Sequence, residues 1–325
     1  MSIAETFPTN YPFLEHPIPV TEQVWSDDVP PLVSIECRTF MHEKFIGDAI
    51  EGFLMQQTTF KIEILINDDA STDKTADVIR RYEAKYPQLF KTTYQVENQH
   101  RKSPRTPKYI KRPKKLGKYI ARCEGDDYWT HPLKLQMQVD FLEANPSYIL
   151  CFHACEVVFE GDLNFYQAGV QQDIETREYT GKDLLKKWII QLATVMYRNK
   201  YNIEQIKPKH KDLINREIHM FLALAEKGRL YGMSEKMSVY RKHPGGITQV
   251  IKDTATKIKF LKNYIAMDVV YNYKYHDILK VKIAKHSFKI AKDYLKQFNP
   301  KALKYFYISL KYDKRVLLGV IKNKL

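Results

Sequence analysis

Apolar and polar residues alternate over the first 130 positions in a way that predicts strands and helices in turn. Short apolar runs bounded by polar loops are typical of buried strands, and three stand at Leu32–Cys37, Phe60–Ile66 and Tyr119–Cys123. Between them, apolar residues recur at helical spacing over Glu43–Gln56 and Asp73–Lys85. Strands and helices that alternate at this spacing predict right-handed crossovers and a largely parallel sheet, which is an α/β fold.

Local signals predict where two helices begin. Ser71 or Thr72 is the expected N-terminal cap of the second helix. Thr130 is the expected cap of a helix that follows the third strand, with Pro132 in its first turn. Both predicted caps come soon after the carboxyl end of a strand.

The two ends of the chain have patterns of their own. Residues 1–30 contain five prolines and no apolar period, which predicts an extended leader. Three segments after residue 250 are helical in period, rich in lysine and poor in acids: 257–273, 275–298 and 300–324. We expect these helices to pack on the rest of the protein, or to lie on an anionic bilayer with their lysines towards the headgroups. The two roles are compatible on opposite faces.

Length and composition exclude several classes of protein. A chain of 325 residues can bury a full core, and no apolar run reaches the roughly 18 residues that a membrane span needs. Glu5 and scattered prolines are unlike a signal peptide, so we expect a cytoplasmic chain. Its four cysteines fit a reducing compartment. Cys151, His153 and Cys155 could form a zinc site, but they alternate as one face of a strand and no second ligand pair follows.

The net charge of +14 is unevenly distributed. Residues 251–325 contain 18 Lys and Arg against 5 Asp and Glu, and residues 101–122 contain 10 basic residues and no acidic ones. The rest of the chain is therefore acidic. Two basic zones predict anionic partners at particular places. The basic loop 101–115 is compatible with a solvated loop and with a grip on a diphosphate or an anionic acceptor.

Carboxylates are concentrated at the end of the third predicted strand. Glu124, Asp126 and Asp127 follow it directly, at the end of a strand where open α/β sheets bind ligands. Carboxylates this close repel one another unless a cation or hydrogen-bond donors neutralise them. Oxygen ligands of this kind suit Mg²⁺ or Mn²⁺ that carries a substrate phosphate. The alternative is an acidic loop that caps the following helix.

Three stretches resemble the nucleotide-sugar half of glycosyltransferase family 2. The family pattern is a strand, a Thr-Tyr-Asn-like loop, a helix, a strand ending in Asp-Asp-x-Ser-x-Asp, and later a metal-binding Asp-x-Asp-Asp. The corresponding residues here are Thr39-Phe40-Met41, Asp68-Asp69-Ala70-Ser71-Thr72-Asp73 and Glu124-Gly125-Asp126-Asp127. Stretches between Gln191 and Thr248 are similar to the acceptor half of the family.

The resemblance implies the GT-A fold, a Rossmann-like, mostly parallel sheet flanked by helices, here with a C-terminal helical extension. It places a glycosyltransferase domain at 31–250, with a nucleotide-sugar half at 31–130, an acceptor half at 131–250 and a basic helical region at 251–325. The implied activity is inverting transfer from a nucleotide-diphosphate sugar, with UDP expected, to an acceptor hydroxyl. A divalent metal, Mn²⁺ or Mg²⁺, is the implied cofactor.

The implied setting is cell-surface polysaccharide or glycan synthesis, with a glycan or lipid-linked acceptor and no nucleic acid. The enzyme would then work in the cytoplasm, or peripherally on the inner face of the membrane.

Family positions imply roles in donor binding. Phe40 is expected to stack on the base, and Asp69 to accept the imide N–H of a uracil. Thr39 lies in the same loop. Asp126 is expected near the ribose or the donor sugar.

Family positions also imply a metal site. Asp127 is expected to contact the ion directly, with Glu124 in support. Arg241 and His243 resemble the family loop that closes over the diphosphate, and His243 either completes the metal shell or is loop surface.

The catalytic base follows from a count along the acceptor helix. The family places an Asp about eleven residues before the Gly that ends this helix, and counting back from Gly228 reaches Glu217. Because Glu is one methylene longer than Asp, Asp212 is the reserve candidate. The alternative is that Glu217 is an acidic residue favoured by the helix dipole.

The chain departs from the family pattern at two positions of the first loop. Met41 stands where the family usually has Asn, and Arg38 where it usually has Pro. This loop therefore has a different chemistry from that of the family, and the preference for a particular donor sugar stays open.

A function of a different class is a nucleic-acid or polyanion binder that uses the basic loop and tail. That reading leaves the carboxylate-ended loops without a purpose. A nucleotidyltransferase would need a Gly-rich phosphate loop after the first strand, and the sequence has none there.

Overall fold

The computed structural model describes Pro8 and residues 10–102, 117–160, 174–214, 216–244 and 253–316. Most of the basic loop 101–115, the glycines after Pro244 and the end of the predicted third C-terminal helix lie outside these residues. The chain divides into two compact units. The first comprises Met1–Tyr179, Ile189–Asn202 and Leu224–Gly245, and the second comprises Thr180–Trp188, Ile203–Ala223 and Gly246–Leu325.

The described strands are short, apart from two long ones in the second half of the first unit. They are β1 (Ile18–Pro19), β2 (Val33–Thr39), β3 (Gln57–Thr58), β4 (Ile62–Asp68), β5 (Phe90–Tyr94), β6 (Tyr119–Glu124), β7 (Tyr128–Trp129), β8 (Tyr148–Phe159), β9 (Arg177–Tyr179), β10 (Met196–Arg198) and β11 (Arg229–Lys242).

Helices lie between the strands and fill the C-terminal region. They are α1 (Ile46–Leu54), α2 (Thr75–Lys85), α3 (Gln99–Lys102), α4 (Lys134–Ala144), α5 (Gly181–Lys186), α6 (Ile203–Ile206), α7 (Arg216–Ala225), α8 (Thr254–Val270), α9 (His276–Lys296) and α10 (Lys301–Tyr312), with a 3-10 helix at Leu192–Thr194.

Nine of the described strands form one sheet in the order β5-β4-β2-β6-β10-β8-β11-β7, with β9 also paired to β11. β2 pairs in parallel with β4 and β6, and β4 with β5. β10 is antiparallel to both β6 and β8, so β8 runs in the direction of β6, and β11 is parallel to β8. The predicted mostly parallel α/β sheet is confirmed. The carboxyl ends of β2, β4, β6 and β11 therefore share one edge.

The core of the first unit lies between this sheet and the apolar faces of α1 and α4. Ile46, Ala49, Ile50 and Phe53 are buried on α1, four residues at the helical spacing that the sequence shows. Gly52 is also buried on α1. A Cβ at this position would stand 2.8 Å from the backbone N of Trp129. Only glycine lets α1 approach β7 this closely.

Two predicted helix starts are wrong, and tertiary pairing explains both. Tyr128 and Trp129 pair with β11, and the Thr130 N–H donates to the Met237 carbonyl, so α4 begins only at Lys134, without a side-chain cap. α2 begins at Thr75, whose N–H donates to the Asp73 carboxylate at 3.0 Å.

The three helices α8, α9 and α10 make up most of the second unit. Predicted helices after residue 250 are present. α10 ends at Tyr312, where Asp313 is extended, and the last part of the third predicted segment lies outside the described residues. None of the described helices combines the length and the apolarity that crossing a membrane requires.

A lysine is fully buried in the first unit. Lys134 lies with its Nζ 3.9 Å from the centre of the Trp129 ring and donates to Gln138 Oε1 at 2.7 Å. Burial lowers the pKa of Lys134 from 10.5 to about 7. Because the unfolded chain keeps the ordinary pKa, it binds more protons than the folded chain between these two values, so this lysine makes stability rise with pH across that window.

We therefore expect wild type and Lys134→Met to differ in pH dependence. The free energy of unfolding of wild type, relative to the variant, should be constant below about pH 7 and rise by up to about 1.4 kcal/mol per pH unit above it, levelling near 10.5. Urea unfolding of both proteins across this range measures the difference. Parallel profiles would show that Lys134 keeps an ordinary pKa in the folded protein.

Candidate active site

Polar side chains from four strands converge on the carboxyl edge of the sheet. Thr39 is the last residue of β2, Asp68 of β4 and Glu124 of β6, and His243 directly follows β11. All of them belong to the first unit. The edge predicted from the sequence is therefore the edge at which these residues lie.

The loops at this edge are tied together by backbone hydrogen bonds. The Asp69 N–H donates to the Thr39 carbonyl at 3.0 Å, and the Gly125 N–H donates to the Arg38 carbonyl at 2.8 Å. A Cβ at position 125 would stand 2.8 Å from the Thr39 side chain, so this glycine lets the acidic loop pack onto the end of β2. The buried Thr39 hydroxyl has no hydrogen-bond partner among the described residues.

The first loop has a left-handed residue where the sequence departs from the family. Met41 has a φ of 59°. Asn is among the non-glycine residues most often found in this region, so the usual family residue suits the same backbone. The Met41 N–H donates to Ser71 Oγ at 2.9 Å, and the His42 N–H donates to Thr75 Oγ1 at 2.9 Å. Ser71 thus joins two loops and is not the predicted cap of α2.

Asp126 lies between two histidines. His243 Nε2 is 3.1 Å from Asp126 Oδ2, and His42 Nε2 is 3.8 Å from the same oxygen. Within the part of the chain that the structure describes, these three side chains form the group that could hold a metal ion, with ligand atoms within 4.8 Å of one another. The site combines two imidazoles and one carboxylate.

Both histidines are held by aromatic and backbone contacts. The His243 ring lies 4.6 Å from the Phe45 ring and 6.0 Å from the His42 ring, measured between ring centres. The His42 carbonyl accepts the N–H groups of Phe45 and Ile46 at 2.9 Å, which places His42 at the start of α1. The two imidazoles therefore reach Asp126 from elements far apart in sequence.

The electrostatics of this cluster favour a neutral His42 and an ionised Asp126. Burial lowers the pKa of His42, against the attraction of Asp126. Burial opposes ionisation of Asp126, but its hydrogen bond with His243 and the nearby His42 outweigh this and lower the pKa of Asp126. A neutral imidazole and an ionised carboxylate are the forms that bind metals.

Asp127 has a different environment from its neighbour. It is buried, and its Oδ1 accepts the backbone N–H of Arg241 at 2.9 Å. Burial raises the pKa of Asp127 well above its ordinary value, and the charges of Asp126 and Glu124 add to the effect. The structure thus separates the two adjacent carboxylates, with Asp126 among histidines and Asp127 facing β11.

Arg241 holds the end of β11 over the acidic loop. Its guanidinium carbon lies 4.8 Å from the centres of both the Phe45 and the Tyr128 rings. Its Nη1 donates to the Asp126 carbonyl at 3.2 Å, and its Nη2 donates to Asp48 Oδ2 at 2.7 Å. This buried side chain is therefore strongly engaged within the protein.

Glu124 takes part in a ladder of opposite charges across β2 and β6. Its carboxylate lies 3.3 Å from Arg122 Nη2, and Glu36 lies 2.9 Å from Arg38 Nη2. The strand register puts Glu36 opposite Arg122, and Arg38 opposite Glu124. Arg38, a departure from the family pattern, thus contributes a charge to this ladder.

Asp69 accepts two backbone hydrogen bonds. Its carboxylate oxygens accept the N–H groups of Gln99 and His100 at 2.8 and 3.0 Å, at the start of α3. The half-buried Phe40 precedes Met41 in the first loop. Both lie at the edge where the sequence predicts donor binding.

The candidate bases belong to the second unit. Glu217 is half-buried in the first turn of α7, where an acidic residue also suits the helix dipole. Asp212 lies in the loop before α7, with its N–H 3.2 Å from His210 Nδ1. Both candidates therefore lie in the second unit, and the role of Glu217 stays a prediction.

Sequence reasoning missed His42 and the aromatic pair Phe45 and Tyr128. The helical spacing over Glu43–Gln56 explains Phe45 only as an apolar residue of the first helix. A histidine at the carboxyl end of the first strand, on the edge with the acidic cluster, was the available signal for His42. No local signal pairs Phe45 with Tyr128, because Arg241 joins them from a distance of more than 100 residues in sequence.

The sequence profile described as Glycosyl transferase family 2 matches residues 37–219, more than half of the chain. An uncharacterized protein of Mycobacterium tuberculosis, Rv1520, is 35% identical over 220 residues, which are 66% of this chain and 60% of that protein. TuaG of Bacillus subtilis, named as a glycosyltransferase of teichuronic acid biosynthesis, is 30% identical over 215 residues, 65% of this chain and 79% of TuaG. The chain spans about 60% of the length of its mycobacterial relatives.

The fold has a counterpart among solved structures. S. aureus TarS in complex with UDP-GlcNAc superposes with a TM-score of 0.58 at 16% identity, covering 86% of this chain and 79% of that one. At this identity the likeness concerns the fold, and it confirms the predicted GT-A sheet flanked by helices with further C-terminal helices. From the profile match and the TuaG relationship, this chain belongs to glycosyl transferase family 2.

Proposed function

We propose that this protein is an inverting glycosyltransferase that moves a sugar from a nucleotide-diphosphate donor, with UDP as the expected nucleotide, to an acceptor hydroxyl. The observation that carries the proposal is the cluster of Asp126, His42 and His243 at the carboxyl edge of the sheet in a family 2 chain. The teichuronic acid role in the name of TuaG and the UDP-GlcNAc in the TarS complex support a polysaccharide product and a UDP donor.

Asp126, His243 and His42 would hold a divalent metal ion. Ligands about 2.1 Å from one ion lie roughly 3 to 3.5 Å apart, and the distances of 3.1 and 3.8 Å from Asp126 to the two imidazoles suit that geometry after a small adjustment. When bound, the ion supplies positive charge that stabilises the diphosphate leaving group. Asp127 and Glu124, the ligands expected from the family pattern, would then support the loop that carries Asp126.

The donor set favours one of the two expected metals. Imidazole nitrogen is a poor ligand for Mg²⁺, which prefers oxygen, whereas Mn²⁺ accepts both donor types and binds nitrogen more tightly. A site with two imidazoles and one carboxylate should therefore select Mn²⁺.

The donor would lie across the ends of β2 and β4. Thr39, whose buried hydroxyl is unpartnered among the described residues, ends β2 at this edge, and the half-buried Phe40 offers an aromatic face. The Asp69 carboxylate accepts two backbone N–H groups, and its remaining lone pairs can accept the imide N–H of a uracil. Arg241, buried against Phe45 and Tyr128, would hold the loop that ends in His243 in place over the diphosphate.

Glu217 is the proposed base. Its carboxylate would take the proton of the acceptor hydroxyl as that oxygen attacks the anomeric carbon on the face opposite the diphosphate. One such displacement breaks the bond to the diphosphate, forms the new glycosidic bond and inverts the anomeric centre. A glycan or lipid-linked acceptor is proposed, with the enzyme on the inner face of the membrane.

The metal assignment predicts a distinct pattern of affinities. Wild type should bind Mn²⁺ at least tenfold more tightly than Mg²⁺, since two of three ligands are nitrogen. His42→Ala and Asp126→Asn should each weaken Mn²⁺ binding by tenfold or more. Isothermal titration of the protein with each metal, without donor, measures these affinities.

Asp127→Asn is the matched control for the metal assignment. It keeps an oxygen that can accept the Arg241 N–H, and it removes a buried carboxylate, so it should fold with an unchanged or higher melting temperature and keep most of its Mn²⁺ affinity. If Asp127→Asn loses Mn²⁺ while Asp126→Asn keeps it, the ion is held as the family pattern predicts and the histidine cluster is an ordinary set of polar contacts.

The transfer reaction is tested with a panel of UDP-, dTDP- and GDP-sugars in the presence of Mn²⁺. Wild type should be stabilised against heat by a UDP-sugar and should release UDP. Glu217→Gln keeps the shape of the side chain and loses its basicity, so turnover should fall by about 10² to 10⁴ while donor affinity stays within a few-fold.

Two outcomes would contradict this assignment. Normal turnover by Glu217→Gln together with loss in Asp212→Asn would move the base to Asp212. If none of the three donor classes stabilises the protein, with or without Mn²⁺, the proposal that it transfers sugars from these donors is wrong.

A further inference from the structure

The second unit exposes large apolar side chains at the end of α9 and along α10. Phe298 is 96% exposed, Leu303 73% and Tyr307 66%. Leu295 and Leu310 are exposed as well. These five residues, Leu295, Phe298, Leu303, Tyr307 and Leu310, are called the apolar tip surface below.

Helical spacing and one contact between aromatic rings place these residues near one another. Leu303, Tyr307 and Leu310 stand at positions i, i+4 and i+7 of α10, which places them on one face. The Tyr294 and Tyr305 rings stack with their centres 5.6 Å apart, which holds the start of α10 against the end of α9. Leu295, Phe298 and Leu303 therefore lie at the same end of the α9–α10 pair.

Phe298 occupies a position that normally selects glycine. The Asn299 N–H donates to the Tyr294 carbonyl at 2.9 Å and Phe298 has a φ of 51°, which together form the left-handed turn that ends many helices. A bulky residue in this conformation is strained, and here the strain is not repaid by packing, because the side chain is almost fully exposed. A strained and exposed aromatic residue points to a role outside the folded chain.

Lysines border the apolar tip surface. Lys304 and Lys311 each follow a residue of the α10 stripe, and Lys314 lies just after the end of the helix. On α9, Lys285, Lys289, Lys292 and Lys296 are all exposed at helical spacing. Asp313, the one acid between residues 294 and 316, is buried and paired with Arg315. The exposed charge beside the apolar residues is therefore positive.

We propose that the apolar tip surface docks on an anionic lipid bilayer, with Phe298 and its neighbours entering the boundary between headgroups and acyl chains. Apolar residues flanked by lysines are the composition that interfacial helices use, and the lysines complement anionic headgroups. A second copy of the chain fits less well. A two-fold interface brings the same surface of both copies together, so the lysines would face lysines.

This docking surface is separate from the residues proposed for sugar transfer. The apolar tip surface would bring a membrane-side enzyme to a lipid-linked acceptor, and in that respect the inference rests on the proposed function. Vesicle binding needs no donor, metal or acceptor. A failure of docking and a failure of transfer are therefore distinguishable, because Glu217→Gln should bind vesicles as wild type does.

The test is flotation of the full-length chain with vesicles. Wild type should bind phosphatidylcholine vesicles weakly and vesicles that also contain phosphatidylglycerol tightly, and added salt should weaken the tight binding. Phe298→Gly should lower partitioning to the anionic vesicles by about tenfold or more, because burial of one Phe contributes at least that factor. The same variant should have a higher melting temperature, because glycine relieves the strained backbone.

The opposite changes in binding and stability separate docking from a folding defect. Val96→Ser is the matched control, since Val96 is also 96% exposed but lies in the first unit, and it should bind vesicles as wild type does. Lys304→Glu with Lys311→Glu should weaken binding to anionic vesicles and reduce its salt dependence. The proposal is overturned if the full chain does not bind anionic vesicles, if Phe298→Gly binds as well as wild type, or if Phe298→Gly only turns a dimer into a monomer.

Discussion

The hydrogen bond from the Arg241 backbone to Asp127 organises the candidate site. It joins the acidic loop after β6 to the end of β11, two segments 114 positions apart in sequence, at 2.9 Å. With this bond in place, the next residues of β11 carry His243 to within 3.1 Å of Asp126. The Arg241 side chain reinforces the junction, because it is buried between two aromatic rings and donates to the Asp126 carbonyl.

That junction gives the two adjacent carboxylates, Asp126 and Asp127, different environments. A buried carboxylate with a single backbone donor and charged neighbours is driven towards its neutral form, which describes Asp127. Asp126 has imidazoles on two sides and stays ionised. Neighbouring residues in one motif thereby acquire different chemistry, and in our proposal Asp126, but not Asp127, is a metal ligand. The preference for Mn²⁺ then follows from the two histidines rather than from the acidic motif.

The residues proposed for transfer and for docking are distributed over the two units of the chain. The first unit carries the residues proposed for the donor and the metal ion, and the second carries the proposed base and the basic helices. An enzyme of this family that works on a lipid-linked acceptor needs to stay near a bilayer. In our proposal, the strained Phe298, exposed among lysines, would supply a physical means for this without a membrane-spanning helix in the described residues.

The sequence by itself determined the fold class, the family and the edge of the sheet where the chemistry lies. Buried strands and amphipathic helices are local patterns with periods of two and 3.6 residues, so Val33–Thr39, Ile62–Asp68 and Tyr119–Glu124 were predicted to within two residues. The acidic motif at the end of the third strand was likewise readable, because strand ends follow from the same pattern. Glu124, Asp126 and Asp127 could be named as a group but not assigned separately.

Only the tertiary structure decided which side chains meet. His42 lies beside Asp126 because α1 begins at the carboxyl end of β2, and His243 lies there because β11 returns to the sheet in parallel with β8. The wrong caps at Thr130 and Ser71 have the same cause, since Trp129 pairs with β11 and Ser71 binds the Met41 backbone. These contacts join residues 30 or more positions apart, and local propensity carries no information about partners at that distance, because packing and strand pairing select them only when the whole sheet forms.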